Sequence, residues 1–185
     1  MGLKVNLGSG LKRYEGFVNV DALEICNPDY IVDLNKDPLP FEDNSVSEIR
    51  AYHILEHIGD GFLNLMKEIY RVCEDGALID IEVPHHRHEN FFGDPTHVRP
   101  ITIEMLKKFS KKYNQWHVET YGSFSGFGLS LDVDFEILEF DCIIENDYIP
   151  LANQGKYDEI AEMAKRFNNV YSDLRVKLVV IKDGK

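Results

Sequence analysis

The chain has 185 residues, of which 44% are hydrophobic and 28% charged, ordinary values for a globular protein with room for a single domain. Asp and Glu outnumber Lys and Arg by 32 to 20, which gives a formal net charge of -12. Proteins that bind the nucleic-acid backbone or an anionic membrane surface need a concentrated basic face, so we expect neither partner. Three cysteines far apart and the lack of a membrane-length apolar run favour a cytoplasmic protein.

Short apolar runs recur along the chain and predict seven strands. The second and third runs each end on or beside an aspartate. Because the runs alternate with helical patterns, we expect an α/β fold built on a mostly parallel sheet with helices on both faces. The predicted strands cover residues 3–7, 17–20, 30–34, 46–52, 77–83, 132–144 and 174–181.

Three helical patterns lie between the later strands. The apolar side chains from Phe62 to Cys73 recur on one helical face. Asp60 is placed to cap this helix and Asp75-Gly76 to end it. Further helices are predicted at residues 102–113, with Thr102 as the N-cap, and at residues 157–167.

The carboxyl ends of the first three strands carry residues suited to a nucleoside, and ligands of parallel sheets bind at such ends. Gly8-Ser9-Gly10 allows the backbone to approach a ligand, although a tight turn without a ligand needs the same glycines. Asp21 can accept hydrogen bonds from both ribose hydroxyls. Asp33 can accept from an adenine amine while Leu34 packs on the ring, or Asp33 only begins a turn. Arg13 stands where a dinucleotide motif has its third glycine, which argues against a diphosphate.

These strand ends resemble those of class I S-adenosylmethionine-dependent methyltransferases, most closely the group called methyltransferase type 11. The resemblance covers roughly residues 3–113, with a looser match to the last two strands. It implies a Rossmann-like fold and one domain, residues 1–185, with a cofactor-binding half at 1–83 and an acceptor side at 84–185. The motifs that carry it, in the family's order, are Leu7-Gly8-Ser9-Gly10, Asn19-Val20-Asp21, Asp33-Leu34 with Pro40-Phe41, Leu55-Glu56-His57-Ile58, and Glu68-Ile69-Tyr70-Arg71-Val72 with Asp75-Gly76-Ala77-Leu78.

By this resemblance the cofactor is S-adenosylmethionine, and its site spans four strand ends. The segment 7–10 would face the methionine part, Asp21 and Ala22 the ribose, and Asp33 and Leu34 the adenine. The pocket beside the methyl group would be lined by His53, Ile54, Leu55 and His57.

The sequence departs from the family in two ways. Asp21 follows Gly10 by eleven positions, too few for the usual helix of the first crossover. The first motif begins at residue 3, so we expect no N-terminal cap over the pocket. An open pocket makes a homodimer plausible, because a second copy could cover it.

The segment His53-Ile54-Leu55-Glu56-His57 also fits H-x-x-E-H, the inverted zinc-protease motif. That motif needs a helix, so that both histidines share a face, and a third ligand downstream. Here it follows a predicted strand, and 185 residues leave no space for the companion domains of such proteases. We therefore expect no zinc protease.

Four of the seven histidines follow the fifth predicted strand, in the segment 84–100. Three roles remain open for them: acceptor binding or general base catalysis, hydrogen bonds to loop backbone, and coordination of a divalent metal. His85 and His97 are the candidates for catalysis, and His88 is expected to face solvent. We assign no metal ligands.

The sequence thus predicts a methyltransferase that acts on a small or medium-sized acceptor by in-line transfer to oxygen or nitrogen. Such an enzyme mainly aligns the acceptor with the methyl group and excludes water. A hydroxyl or protonated amine also needs a base, for which an imidazole oriented by Asp94 or Glu82 is suited. The alternatives are a non-catalytic cofactor-binding scaffold of the same fold, a metal-dependent hydrolase that uses the segment from His85 to His97, and a nicotinamide oxidoreductase.

Overall fold

The structure, a computed structural model, describes residues 2–123 and 126–182. Within these ranges seven strands form one sheet: β1 (Leu3–Leu7), β2 (Val18–Asp21), β3 (Tyr30–Ile31), β4 (Val46–Tyr52), β5 (Cys73–Pro84), β6 (Phe135–Ile144) and β7 (Tyr171–Val180). Their order across the sheet is β3-β2-β1-β4-β5-β7-β6. β1 to β5 run parallel, and β7 lies antiparallel between β5 and β6. The predicted α/β class with a mostly parallel, seven-stranded sheet is confirmed.

Short helices connect these strands. No helix in the described ranges is long and apolar enough to cross a membrane. Single 3-10 turns lie at Glu24–Cys26, Leu55–His57 and Asn146–Tyr148. The α-helices are α1 (Phe62–Val72), α2 (Glu89–Gly93), α3 (Ile103–Lys107), α4 (Lys111–Tyr121), α5 (Phe127–Leu131), α6 (Ile149–Ala152) and α7 (Tyr157–Ala164).

One face of the sheet belongs to the hydrophobic core. The register aligns Val5 of β1 with Ile49 of β4, and then with Ile79 of β5 and Leu178 of β7. All four side chains are at most 2% exposed. Burial of one such side chain contributes about 2 kcal/mol, so this row alone anchors the centre of the sheet. α1 adds Phe62, Met66 and Ile69 to the same core cluster.

The opposite face is polar along the central strands, which differs from the expected second layer of helices. Its central row runs from Asn6 through Arg50 and Asp80 to Lys177. A face covered by helices would carry apolar side chains instead. Opposite charges on neighbouring strands pair across this face and keep it solvated, as in Lys4–Glu48 and Arg175–Glu82, both at 2.7 Å.

The connection from β1 to β2 is as short as the sequence predicts. Residues 8–17 form turns rather than a helix. Tyr14 and Phe17 cover part of the polar face, because the Arg50 guanidinium lies 4.4 Å from the centroid of each ring. A cation–π contact of this kind is worth about 0.5–2 kcal/mol. The two aromatic rings therefore cover part of this face, as a helix does in a longer crossover.

α1 begins and ends elsewhere than predicted. Its N-cap is Gly61 rather than Asp60, and no side chain accepts a capping hydrogen bond there. A Cβ on Gly61 would lie 2.3 Å from the carbonyl oxygen of Asn35, so close packing against that backbone requires glycine. The helix ends at Val72, ahead of the predicted stop, because Cys73 already belongs to β5.

The helix predicted over residues 102–113 is two helices, α3 and α4. Thr102 caps α3 as predicted, since its hydroxyl accepts a hydrogen bond from the Met105 amide at 3.2 Å. Ser110 caps α4 in the same way and accepts from the Tyr113 amide at 2.9 Å. Two capping side chains within one apolar pattern break the helix between them.

The three cysteines are free thiols with different surroundings. Cys73 is fully buried, and burial raises the pKa of its thiol to about 12. Cys142 is partly buried in β6, where burial raises its pKa to about 11. Cys26 is partly exposed at the end of the 3-10 turn after β2.

Candidate functional site

The turn after β1 presents its backbone at the carboxyl edge of the sheet. Gly8 and Gly10 both have positive φ angles, 62° and 51°, which residues with a side chain rarely adopt. A Cβ on Gly8 would lie 2.5 Å from Cγ1 of Ile54, so glycine is what allows the segment after β4 to come this close. At Gly10 no atom of the described residues lies within 4 Å of the Cβ position. The space beside Gly10 is therefore open to a ligand.

Asp21 joins the ends of the first two strands. Its Oδ2 accepts a hydrogen bond from the Gly10 amide at 2.8 Å, and its Oδ1 accepts from the Leu23 amide at 2.9 Å. An ionised carboxylate has about four acceptor positions, so both oxygens can still accept a ribose hydroxyl. Ala22 is exposed next to it.

Arg13 braces the loop between β2 and β3. Its guanidinium donates to the carbonyl of Asn27 and, at 2.8 Å, to Asp29. Asp29 in turn accepts from the backbone and side-chain amides of Asn19, which together with Arg13 lower the pKa of its carboxyl. The residue in place of a third glycine thus positions the β2 end, and it is committed to the loop rather than free for a phosphate.

Asp33 begins a turn, the simpler of its two predicted roles. Its carboxylate accepts from Lys36 Nζ at 2.7 Å and from the Asn35 amide at 3.0 Å, and these contacts lower its pKa. Leu34 is 6% exposed and belongs to the core. The adenine contact of this pair stays a prediction.

His53 directly follows β4 with a left-handed backbone, φ 52°. Its amide donates to the Glu82 carbonyl at 2.7 Å, which holds the end of β4 against β5. The imidazole is half exposed and lies 3.5 Å from a carboxylate oxygen of Glu56 and from one of Glu82. The Glu56 carboxylate is the main cause of a raised pKa of His53.

The hydrophobic residues predicted to line the cofactor pocket divide into two kinds. Ile54 is partly buried and packs against the Gly8 turn. Leu7 and Leu55 are at most 1% exposed, so they offer a ligand only their backbone.

A buried carboxylate, which the sequence reasoning missed, lies at the centre of the site. Glu56 is 1% exposed, and neither of its oxygens has a hydrogen-bond partner in the described part of the chain. Its Oε1 lies 3.5 Å from His53 Nδ1 and 3.9 Å from His97 Nε2. With His57, whose ring contacts that of His97 at 4.6 Å between centroids, these residues form what we call the Glu56 cluster: His53, Glu56, His57 and His97.

Asp94 reaches the Glu56 cluster through Thr96. The Thr96 hydroxyl donates to Asp94 at 2.6 Å, and its oxygen lies 2.9 Å from His57 Nδ1. The hydrogen bonds from Thr96 lower the pKa of Asp94, which keeps this carboxyl ionised. Asp94 Oδ2 also lies 3.8 Å from His97 Nε2. Of the predicted catalytic residues, His97 and Asp94 are therefore brought together.

His85 and His88 lie in the loop after β5 with different contacts. His85 Nδ1 accepts the Arg87 amide at 3.3 Å, and burial lowers the pKa of this imidazole to about 4. His88 is 5% exposed, so the expectation that it faces solvent is wrong. It caps α2 by accepting the Asn90 amide at 3.1 Å, and its other ring nitrogen lies 3.1 Å from Glu145. Of the three predicted roles, these two histidines therefore show the hydrogen bonds to loop backbone.

Comparison with known proteins relates the fold to solved structures. The sequence matches no family model and no curated protein. A SAM-dependent methyltransferase from Archaeoglobus fulgidus has a TM-score of 0.62 at 17% identity, over 95% of this chain and 85% of that one. The [4+2]-cyclase SpnF has a TM-score of 0.58 at 14% identity, over 99% and 76%. A SAM-dependent methyltransferase and possible histamine N-methyltransferase from Thermotoga maritima has a TM-score of 0.57 at 10% identity, over 97% and 82%.

The chain therefore has the fold of class I SAM-dependent methyltransferases, as its motifs predict. Identities of 10–17% establish the fold and leave the reaction to be argued from the site itself.

Proposed function

We propose that the chain is an S-adenosylmethionine-dependent methyltransferase that acts on a small or medium-sized acceptor at oxygen or nitrogen. The observation that carries the proposal is the joint between the first two strands, where the Asp21 carboxylate accepts the Gly10 amide at 2.8 Å. It lies beside open space, at the edge of the sheet where ligands of such folds bind.

The residues at these strand ends fit a nucleoside that carries an amino acid rather than a diphosphate. The Gly10 turn has room for the amino-acid part, and Asp21 keeps acceptor positions for ribose hydroxyls. Asp33 and Leu34, at the next strand end, are the proposed adenine contacts. S-adenosylmethionine would supply an already activated methyl group, so the protein has mainly to position the acceptor and exclude water.

The Glu56 cluster is the proposed acceptor end of the site. His97 Nδ1 lies 3.0 Å from the Phe91 carbonyl and must carry the proton there, which leaves Nε2 as a bare acceptor. Nε2 is therefore the atom that can take a proton from an acceptor hydroxyl or amine, or bind a cation. Asp94 is proposed as a positioning residue, and His85, with a pKa lowered to about 4, would be a weak base and orders the loop.

Calorimetric titration with S-adenosylmethionine and its demethylated product, with NAD as control, tests the cofactor. We expect both sulfur nucleosides to bind and NAD not to bind. The D21N variant should weaken the binding by about 10-fold or more, because a charged acceptor of the ribose is lost. The matched E24Q variant changes an exposed carboxylate on the neighbouring turn and should bind as the wild type does. Binding of NAD alone would overturn the proposal.

A second use of the fold is a protein that binds the cofactor without transferring its methyl group. The likeness to a [4+2]-cyclase favours keeping this candidate, because that protein is named for a different reaction. Transfer of a labelled methyl group to a panel of hydroxyl and amine acceptors separates the two. Tight binding of the demethylated product with no labelled acceptor would support the non-catalytic role.

The proposal also includes a cytoplasmic location and a homodimer in which a second copy covers the open edge of the site. Light scattering coupled to size-exclusion chromatography measures the mass directly. A mass of twice 21.3 kDa supports the homodimer, and a single-chain mass contradicts it.

A further inference from the structure

The Glu56 carboxylate is buried with no hydrogen-bond donor in the described part of the chain, although the imidazoles of His53 and His97 lie 3.5 Å and 3.9 Å from its Oε1. A buried ionised carboxylate costs several kcal/mol unless it is paired and hydrogen-bonded. Both Glu56 oxygens are unpartnered in the described part of the chain. The nearby Arg99 guanidinium is used elsewhere, since it donates to the carbonyls of Ile58 and Gly59 and lies over the Phe62 ring. Within the described residues, the groups that face the Glu56 carboxylate are therefore imidazoles rather than a guanidinium.

The hydrogen bonds of His57 leave one of its ring nitrogens unprotonated. The Thr96 hydroxyl donates a hydrogen bond to the ionised Asp94 at 2.6 Å. Its oxygen can therefore only accept a hydrogen bond from His57 Nδ1, at 2.9 Å. His57 Nδ1 then carries the ring proton, and Nε2 keeps a free lone pair. A chain from carboxylate to hydroxyl to imidazole is how proteins fix the orientation of a metal-binding histidine.

His97 has the same arrangement with a backbone partner. Its Nδ1 lies 3.0 Å from the Phe91 carbonyl, which cannot donate, so Nε2 again keeps the lone pair. This Nε2 faces Glu56 Oε1 at 3.9 Å. Two acceptor lone pairs at this distance repel each other unless a proton or a bound cation lies between them.

We propose that Glu56, His57 and His97 bind a divalent transition-metal ion. One ligand atom from each residue lies within 4.8 Å of the other two. Donors that share a tetrahedral zinc ion lie about 3.4 Å apart, since each bond is about 2.1 Å, so small side-chain rotations close the site. Two imidazoles and one carboxylate favour Zn²⁺, Mn²⁺ or Fe²⁺ over Mg²⁺ and Ca²⁺, which prefer oxygen ligands.

Three protein ligands leave at least one coordination position for a ligand from solution. This position lies among the residues to which we assign the acceptor. An acceptor with an oxygen donor, such as a hydroxyl beside a second oxygen, would bind the ion and lose its proton more easily. The acceptor class rests on the proposed function, whereas binding of the ion does not.

Zinc binding by the chelator-treated protein, without any nucleoside, tests the site. Calorimetry and elemental analysis should give one ion per chain for the wild type. E56Q and H97N should each weaken the binding by about 100-fold or more, since each removes one of three ligands. H117N, which changes a partly exposed histidine on α4, should bind as the wild type does. If wild-type protein binds no more Zn²⁺ than E56Q, or if Mg²⁺ binds and Zn²⁺ and Mn²⁺ do not, the inference is wrong.

Thermal unfolding distinguishes a metal ligand from a residue that only supports the fold. Without metal, E56Q should be at least as stable as the wild type, because it removes a buried charge that accepts no hydrogen bond in the described part of the chain. With Zn²⁺ the wild type should gain stability and E56Q should not. A purely structural Glu56 would give the opposite pattern, with E56Q destabilised equally with and without the ion.

The Thr96 hydroxyl gives an independent test of the positioning chain. T96V keeps the shape of the side chain and removes the acceptor for His57 Nδ1, so Zn²⁺ affinity should fall by about 10- to 100-fold with the stoichiometry unchanged. An unchanged affinity would exclude the proposed chain. Because these titrations contain no nucleoside, their failure would leave the cofactor binding of the wild type unaffected, and failure of the nucleoside titration would leave the metal site standing.

Discussion

Single positions with a left-handed backbone define the geometry of the site. Gly8, Gly10 and His53 all have positive φ and follow the two central parallel strands. Glycine is expected there from its motif, and histidine, at φ 52°, is with asparagine and aspartate among the non-glycine residues that adopt this conformation most often. The other non-glycine residues of this kind in the described ranges are asparagine or aspartate: Asn27, Asn44, Asp132 and Asn169.

The two glycines of the first turn allow a matched pair of substitutions. Alanine at Gly10 meets open space, so G10A should cost only the left-handed backbone, about 1–2 kcal/mol of unfolding free energy. Alanine at Gly8 has the same backbone cost and also meets Ile54 Cγ1 at 2.5 Å, which should add about 1–3 kcal/mol. Urea denaturation of both variants measures the difference. The added I54A change should restore part of the loss in G8A, and equal losses in G8A and G10A would contradict the steric argument.

His85 makes stability depend on pH. Burial lowers its pKa from 6.5 to about 4 in the folded chain, so the unfolded chain binds more protons between these values. This contribution is fully present above pH 6.5 and is lost as pH falls toward 4. At pH 5.5 the loss should be about 1 kcal/mol relative to pH 7.5.

The H85Q variant measures this contribution, because glutamine does not titrate and can still accept the Arg87 amide. Its unfolding free energy should fall less between pH 7.5 and 5.5 than that of the wild type, by about 1 kcal/mol. H117Q should lose as much as the wild type. An identical pH dependence in H85Q and wild type would show that His85 is not buried in its neutral form.

Arg71 on α1 holds the loop that leads into β4. Its guanidinium donates to the carbonyls of Leu39 and Phe41, both at 2.9 Å, and to the carboxylates of Glu68 and Asp43. These contacts hold the pKa of Arg71 above its ordinary value. One side chain thus satisfies two backbone acceptors of a loop that has no regular structure of its own.

Removal of this charge should destabilise the fold. R71M removes the hydrogen bonds to the carbonyls of Leu39 and Phe41 and to the carboxylates of Glu68 and Asp43, and we expect a loss of about 2–3 kcal/mol of unfolding free energy. K67M changes an exposed side chain on the same helix and should alter stability by about 0.5 kcal/mol or less. A loss in R71M no larger than that in K67M would mean that the loop is held by its apolar contacts alone.

The strands were easier to predict than the helix ends, for a physical reason. The predicted bounds of β1 and β4 agree with the structure residue for residue, because most of the apolar side chains of these two strands lie in the core. The start of α1 depends instead on the backbone of Asn35, which approaches Gly61 from a distant part of the chain. No local pattern contains that contact.

The sheet as a whole has one apolar face and one polar face, and the sequence patterns revealed only part of this. The alternation of apolar and polar residues in β5 and β7 is visible in the sequence. Which polar side chains become neighbours, however, depends on the register of the strands. Asp80 lies between Arg50 and Lys177 only because three strands align them. The same holds for Glu56, whose burial results from loops after β4 and β5 that meet around it. Buried polar groups that depend on such meetings cannot be predicted from local periodicity.

The three thiols differ in burial, so their rates of chemical modification report local and global opening of the fold. Cys73 is in the core and has a pKa of about 12, so a thiol reagent can reach it only when the sheet comes apart. Cys26, on the turn behind the Asp21 strand end, should react in the native state, and the modification rate of Cys73 should equal the rate of global unfolding at high reagent concentration. Mass spectrometry of the labelled peptides checks both rates, and fast labelling of Cys73 in native protein would contradict its burial. A ligand at the strand ends would slow the labelling of Cys26 if it closes this region locally, and the labelling of Cys73 if it stabilises the whole fold. Both effects could therefore be measured on the wild-type chain.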